Sequence, residues 1–189
     1  MDHVDHVGLL RGGVVPAGPE GATWADLGSG SGAFTLALAD LLGPGGRIVS
    51  VDRDGGALRE QAAAMAARFP RTELRQVTAD FTSGLGAVVG PGELDGVVMA
   101  NSLHFQADHR AVVRTIAGFL RSGGRFVLVE YDADRGNPWV PHPLSFETWC
   151  RVAVDAGLTE PRLLGRVPSR FLGAIYSAAS ERPAAAARS

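Results

Sequence analysis

Short apolar runs alternate with longer amphipathic stretches along most of the chain, which predicts strands that alternate with helices. Strands are predicted at residues 23–27, 47–51, 73–78, 94–100, 125–131, 162–167 and 171–177, and helices at 33–42, 55–69, 108–120 and 145–156. This alternation predicts an α/β fold with a doubly wound, mainly parallel seven-stranded sheet and helices on both faces. The last two runs are joined only by Pro168-Ser169. So short a connection requires an antiparallel hairpin, which makes the terminal strand antiparallel.

The same pattern divides the chain into one domain and two short ends. Residues 1–20 hold an amphipathic segment followed by glycine and proline breakers, and they either cover the domain or act as a lid over a substrate. Residues 21–178 form the single predicted domain. Residues 179–189 are rich in alanine and are predicted to be a disordered tail.

Composition excludes several classes of function. The net charge of −2 provides no basic surface for nucleic acid, and no apolar run is long enough to span a membrane. Cys150 is the only cysteine, which excludes a multi-cysteine zinc site, and no metal site is predicted. All 18 basic residues are arginine, so lysine chemistry such as a Schiff base is absent. A cytoplasmic location is expected.

Three glycines at alternate positions connect the first predicted strand to the first long helix. Gly28, Gly30 and Gly32 allow positive φ and let a ligand approach the backbone next to helix N–H groups. Asp52, at the end of the second predicted strand, lies at the sequence distance of a ribose-binding carboxylate. These features predict a nucleotide-type cofactor, but they fit a dinucleotide such as NAD(P) as well as other adenosine cofactors.

The ends of several strands together distinguish between these cofactors. Residues 26–32 read Asp-Leu-Gly-Ser-Gly-Ser-Gly and closely resemble motif I of the class I S-adenosylmethionine-dependent methyltransferases. The resemblance continues at Asp52, at Asp80-Phe81, over residues 94–105 as motif IV, and over residues 120–129. It covers roughly residues 20–178, so an NAD(P)-dependent oxidoreductase becomes a remote alternative.

The resemblance implies a role for each residue at the methionine end of the cofactor, S-adenosyl-L-methionine. The backbone of the glycine loop would accommodate the methionine moiety, with the Asp26 carboxylate near its ammonium group and the backbone carbonyl of Asn101 close by. The loop residues concerned are Gly28, Ser29, Gly30 and Gly32.

At the adenosine end, the resemblance implies that Asp52 accepts hydrogen bonds from both ribose hydroxyls and that Arg53 lines the adenosine. Asp80 would accept from the adenine amino group, and the Phe81 backbone N–H would donate to the ring. Each acidic residue also has a simpler interpretation: Asp80 as the cap of a following turn, and Asp52 as a solvated loop charge.

Candidate catalytic residues follow the fourth and fifth predicted strands. His104 lies three residues after Asn101 and is a candidate general base, although a histidine that only stabilises the loop fits equally well. Tyr131 and His142 follow the fifth strand as further candidates, and Trp139 either forms a wall of the acceptor pocket or packs on the core. His109 is expected to be solvated.

The acceptor is inferred mainly from absent features. The Asn/Asp-Pro-Pro-Tyr/Phe motif of amino-methylating nucleic-acid enzymes is replaced by Asn-Ser-Leu-His at residues 101–104. We therefore expect methyl transfer to O, N or C of a small molecule. The alternative is a protein of the same fold that binds S-adenosylmethionine without methylating. Both a monomer and a homodimer are compatible with the sequence.

Overall fold

Seven strands form one sheet in the computed structural model, which describes residues 1–184. The strands are β1 Ala22–Leu27, β2 Gly46–Asp52, β3 Glu73–Thr78, β4 Leu94–Ala100, β5 Leu120–Tyr131, β6 Arg162–Ser169 and β7 Gly173–Glu181. They are arranged in the order β3-β2-β1-β4-β5-β7-β6. Only β7 is antiparallel to its neighbours β5 and β6. The predicted mainly parallel sheet with an antiparallel terminal strand is therefore confirmed.

Helices cover both faces of this sheet. They are α1 His3–Leu10, α2 Ala33–Leu42, α3 Gly55–Arg68, α4 Phe81–Gly84, α5 His109–Ala117 and α6 Phe146–Asp155. Successive residues of β4 point to opposite faces, and both sets are buried: Val97 packs with residues of α5 and α6, and Val98 with residues of α1 and α2. A strand buried on both faces has a continuous apolar sequence, which is why β4 could be predicted.

The chain changes direction across the sheet next to β1. From β1 it continues through β2 to β3 on one side and then returns to place β4 on the other side. In open α/β sheets, the crevice at such a switch point, beyond the carboxyl ends of the strands, is where ligands bind. The ends of β1, β2 and β4 meet there, together with the end of β5.

Residues 1–20 begin with α1, whose N-terminus is capped by Asp2. Val7, Leu9 and Leu10 are buried in the apolar cluster that α1 shares with α2. These contacts are those of a segment that covers one face of the domain. In residues 1–184, no helix has both the length and the apolar composition needed to cross a bilayer.

The structure corrects several predicted boundaries. Pro168 and Ser169, predicted to connect the last two strands, belong to β6, and the helix predicted to end at residue 120 ends at Ala117. β5 begins at Leu120 and not at Arg125, because residues 121–124 join the strand at an irregularity in its pairing with β4 between Leu94 and Gly96, where Gly123 has a positive φ of 73°. Phe171 lies in the turn between β6 and β7 and not in the last strand. β7 continues to Glu181, which pairs with Arg125, so assigning residues 179–181 to a disordered tail was wrong. Residues 185–189 of that predicted tail lie outside the described residues.

Candidate functional site

The three loop glycines have different surroundings. Gly28 has φ 77°, and a Cβ there would lie 2.4 Å from the Cβ of Ser102. Gly32 has φ 93°, and a Cβ there would lie 2.5 Å from Cγ of Gln61. Gly30 also has positive φ, 54°, but nothing lies within 4 Å of its Cβ position. The outer two glycines are thus required by close packing within the protein, whereas Gly30 borders open space that a ligand can occupy.

Asp52 is tied to this loop by its own carboxylate. The Gly30 N–H donates to Oδ2 of Asp52 at 2.7 Å, and the Asp54 N–H donates to Oδ1 at 2.8 Å. Each carboxylate oxygen can accept a further hydrogen bond, because each has two lone pairs. Asp52 is therefore not a free solvated charge: it fixes the glycine loop and still has one acceptor position on each oxygen. Ser29 adds a second link through its Oγ, 2.7 Å from Oγ of Ser50.

Asp26 is fully buried beneath the loop. The Thr35 hydroxyl donates to Oδ2 of Asp26 at 2.6 Å. Burial, opposed by the Thr35 hydrogen bond and supported by the negative charge of Asp52, raises the pKa of Asp26 to about 7. A nearby cation would favour the ionised form of this carboxyl group.

A cleft of about 300 Å³ lies at the carboxyl edge, and it brings together half of the residues predicted to bind the cofactor. Its wall includes Gly28, Asp52, Arg53, Phe81 and Asn101, followed by Ser102, Phe105 and Gln106. Asn101 has the unusual φ of 51°, and its buried Oδ1 has no hydrogen-bond partner among the described residues. Positive φ is rare outside glycine but tolerated by asparagine, and a buried orphan acceptor is a feature that a bound donor would satisfy.

Asp80 does not line the cleft. It caps α4 by accepting from the backbone N–H of Thr82 at 2.8 Å and from its hydroxyl at 2.7 Å. It also forms an ion pair with Arg53. Burial alone would raise the pKa of Asp80, but the hydrogen bonds from Thr82 and Arg53 outweigh it, and the pKa lies below its usual value. Capping is therefore the role that the geometry shows, and the adenine role of Asp80 remains a prediction.

His104 and Glu130 form a buried pair at the ends of β4 and β5. Nδ1 of His104 lies 2.8 Å from Oε1 of Glu130, and the backbone N–H of His104 donates to Oε2 at 3.2 Å. The Tyr131 N–H also donates to Oε1, at 3.0 Å. Glu130 is not among the residues that the sequence analysis proposes for the site. A charged residue at the end of a run buried on both faces is the signal that could have identified it.

The other two predicted catalytic residues lie next to this pair in different ways. The Tyr131 ring lies 5.8 Å from the His104 ring, and burial raises the pKa of its hydroxyl. The His142 side chain is exposed, and its contact with the site is a backbone N–H that donates to the His104 carbonyl at 3.0 Å. His109 was expected to be solvated, but it is partly buried and burial lowers its pKa.

Exposed aromatic rings extend outward from His104. The ring centroid of Phe105 lies 4.3 Å from that of His104, and Phe105 also lines the cleft. On the other side, the ring centroids of Tyr131 and Phe171 lie 5.8 Å apart, and those of Phe171 and Trp139 lie 6.2 Å apart. Trp139 is 70% exposed and Phe171 is 49% exposed. Trp139 therefore does not pack on the core. Phe171 was missed because the sequence placed it in a strand.

Comparison with known proteins assigns the family. The family model described as "Methyltransferase domain" matches residues 25–126, which include the glycine loop, Asp52 and His104. The chain belongs to this family, the class I S-adenosylmethionine-dependent methyltransferases, and S-adenosylmethionine is its cofactor. No curated protein sequence matches the chain significantly.

Solved structures share the fold at low sequence identity. The 1,6-didemethyltoxoflavin-N1-methyltransferase of Burkholderia thailandensis, solved with 1,6-didemethyltoxoflavin and S-adenosylhomocysteine, is 20% identical with a TM-score of 0.73, covering 96% of this chain and 78% of that one. An arsenic(III) S-adenosylmethionine methyltransferase of Chlamydomonas reinhardtii is 21% identical with a TM-score of 0.70, covering 94% and 68%. The YcgJ protein of Bacillus subtilis is 13% identical with a TM-score of 0.75, covering 97% and 100%.

Proposed function

We propose that this protein transfers the methyl group of S-adenosylmethionine to O, N or C of a small-molecule acceptor, with His104 as the general base and Glu130 as the residue that positions it. The observation that carries this proposal is the buried His104–Glu130 pair, which lies beside the cofactor cleft with a hydrogen-bond distance of 2.8 Å. A carboxylate that accepts from one ring nitrogen leaves the other nitrogen free to accept a proton.

The chemistry of the residues at the cleft and in the glycine loop supports S-adenosylmethionine as the molecule bound there. In our proposal the methionine end lies along Gly28, Ser29, Gly30 and Gly32, with the ammonium group shared between the Asp26 carboxylate and the backbone carbonyl of Asn101. The open space at Gly30 supports this placement, and the orphan side-chain Oδ1 of Asn101 offers a further acceptor for the cofactor. Asp52 would accept from the ribose hydroxyls, and Arg53 and Phe81 would border the adenosine. Asp80, which forms an ion pair with Arg53, would accept from the adenine amino group.

The protein's own residues would contribute position and proton transfer. When bound, S-adenosylmethionine supplies a methyl group activated by its sulfonium. Methyl transfer is an in-line displacement, so much of the rate enhancement can come from holding the acceptor in line with that group. In the tautomer favoured by Glu130, Nδ1 of His104 carries the proton and Nε2 accepts the proton of the acceptor O–H or N–H. Such general base catalysis contributes roughly 10²–10⁴-fold.

The exposed aromatic rings support a small acceptor. Tyr131, Phe171 and Trp139 form an apolar surface that begins next to His104. Phe105, which also contacts the His104 ring, lines the cofactor cleft. Exposed apolar patches of this kind commonly mark binding sites. One of the structures that share the fold was solved with the small molecule 1,6-didemethyltoxoflavin bound, which supports an acceptor of comparable size.

A screen of acceptor libraries by release of S-adenosylhomocysteine tests the proposal. We expect turnover with a small acceptor that carries an ionisable O–H or N–H, and a loss of roughly 10²-fold or more in His104→Ala and Glu130→Gln. Cofactor affinity should stay within about threefold in both variants, since neither residue lines the cleft.

His3→Ala is the matched control, because this histidine lies on α1 and pairs with Asp40. Unchanged turnover in His104→Ala would remove the base from the proposal. Cofactor binding without turnover on any small acceptor would instead favour a binding protein of the same fold.

A further inference from the structure

Three neutral polar side chains form a hydrogen-bonded series that ends on Asp26. The series crosses the sheet and two helices: Gln76 lies on β3, Gln61 on α3 and Thr35 on α2. Gln76 Nε2 donates to Oε1 of Gln61 at 2.7 Å, and Gln61 Nε2 donates to Oγ1 of Thr35 at 2.8 Å. The Thr35 hydroxyl then donates to Oδ2 of Asp26 at 2.6 Å. Gln61, Thr35 and Asp26 are all fully buried.

Every donor in this series points toward the carboxyl group. Because the Gln61 amide donates to the Thr35 oxygen, the one hydroxyl proton of Thr35 is left to donate to Asp26. Gln61 is itself oriented by Gln76, whose Nε2 also donates to the Leu58 carbonyl at 2.5 Å. A series of donors that all point one way is polarised, and it stabilises the ionised form of the carboxyl at its end.

The series also contacts the cofactor loop directly. A Cβ at Gly32 would lie 2.5 Å from Cγ of Gln61, so the last loop glycine rests against the middle of the series. Burial and the negative charge of Asp52 both oppose the ionisation of Asp26, and with the Thr35 hydrogen bond included its pKa is about 7. Among residues 1–184, no arginine or histidine forms an ion pair with Asp26.

We propose that Gln76, Gln61 and Thr35 act as positioning residues that set the pH at which Asp26 ionises, and thereby the pH range in which the protein binds the ammonium group of its cofactor. Below that range Asp26 is a neutral carboxylic acid and must release its proton to solvent when the ammonium binds. This inference rests on the part of the proposed function that places the ammonium group of the cofactor at Asp26, and it does not depend on which acceptor is methylated or on His104.

Calorimetric titration with S-adenosylhomocysteine between pH 5.5 and 8.5 tests the proposal, because this probe carries the same ammonium group. For the wild type we expect the association constant to rise about tenfold per pH unit up to about pH 7 and then to level off. Titrations at pH 6 in buffers with different ionisation heats should show the release of close to one proton per bound molecule, about 0.9, since a group with pKa about 7 is then mostly protonated.

Thr35→Val removes the donor at nearly constant volume. Loss of one hydrogen bond to a charged group should move the acid limb of the affinity profile up by about one pH unit or more. The affinity at pH 6.5 should then fall roughly tenfold, and the difference from the wild type should narrow as the pH rises. Thr35→Ser keeps the hydroxyl and should keep the wild-type profile. Gln76→Met is a second variant at the partly buried start of the series, with a smaller shift in the same direction.

A merely structural role gives a different result. Uniform weakening at every pH with an unmoved acid limb, in Thr35→Val or in Gln76→Met, would overturn the proposal, and so would the absence of proton release by the wild type at pH 6. Urea denaturation identifies any variant that fails to fold, in which case the remaining variant decides. An absence of methyl transfer would overturn the proposed function while leaving these titrations unaffected.

Discussion

The Gly28→Ala substitution tests the local structure of the glycine loop. Alanine at φ 77° costs about 1–2 kcal/mol, because the left-handed region brings Cβ too close to the backbone. The new Cβ would also lie 2.4 Å from the Cβ of Ser102. Ser102 is buried and donates from Oγ to the Leu27 carbonyl at 2.7 Å, so moving it aside costs about another 1–3 kcal/mol. We expect a loss of about 2–5 kcal/mol in the free energy of unfolding.

Gly30→Ala is the matched control two residues later. It also has positive φ, but nothing lies within 4 Å of its Cβ position, so its cost should be limited to about 1–2 kcal/mol. Its methyl group would instead enter the space assigned to the cofactor and weaken the binding of S-adenosylhomocysteine. Urea denaturation of the cofactor-free variants and calorimetry compare them. Equal stability of the two variants, or unchanged cofactor affinity in Gly30→Ala, would refute this account of the loop.

Three further predictions concern the cofactor and acceptor sites. Asp52→Ala should weaken S-adenosylhomocysteine by at least about tenfold in calorimetry, because both the Gly30 anchor and the ribose acceptor are lost. The raised pKa of Asp26 contributes roughly 4 kcal/mol to the free energy of unfolding below about pH 4, and this contribution is lost as the pH rises through about 7. Urea denaturation should show that Asp26→Asn removes this dependence of the free energy of unfolding on pH. Trp139→Ala should raise the acceptor KM several-fold while leaving cofactor affinity unchanged, as initial rates and calorimetry would measure.

The parallel sheet and the cofactor loop could be predicted because their signals are local. The residues of β4 form a continuous apolar run, which reflects burial on both faces. The glycines lie between one strand and one helix, and Asp52 ends the next strand, so their spacing alone implies a shared edge of the sheet. These positions depend on the direction of the chain and not on which side chains touch.

The contacts between distant residues could not be predicted in the same way. Glu130 reaches His104 because β5 pairs with β4 in one particular register, which no local pattern specifies. Glutamine is a residue type that usually lies on the surface, yet Gln61 and Gln76 both join the hydrogen-bonded series that ends on Asp26. β7 extends beyond the end of its apolar segment, because its backbone pairing with β5 continues to Glu181. Such pairings become visible only in three dimensions.

The most direct test of the central claim is a calorimetric comparison of S-adenosylmethionine, S-adenosylhomocysteine and NADH on the wild-type protein. The geometry of Asp26, Asp52 and Asn101 predicts that the two adenosyl compounds bind with one molecule per chain. NADH should bind far more weakly or not at all. Tight binding of NADH without binding of either adenosyl compound would contradict the account.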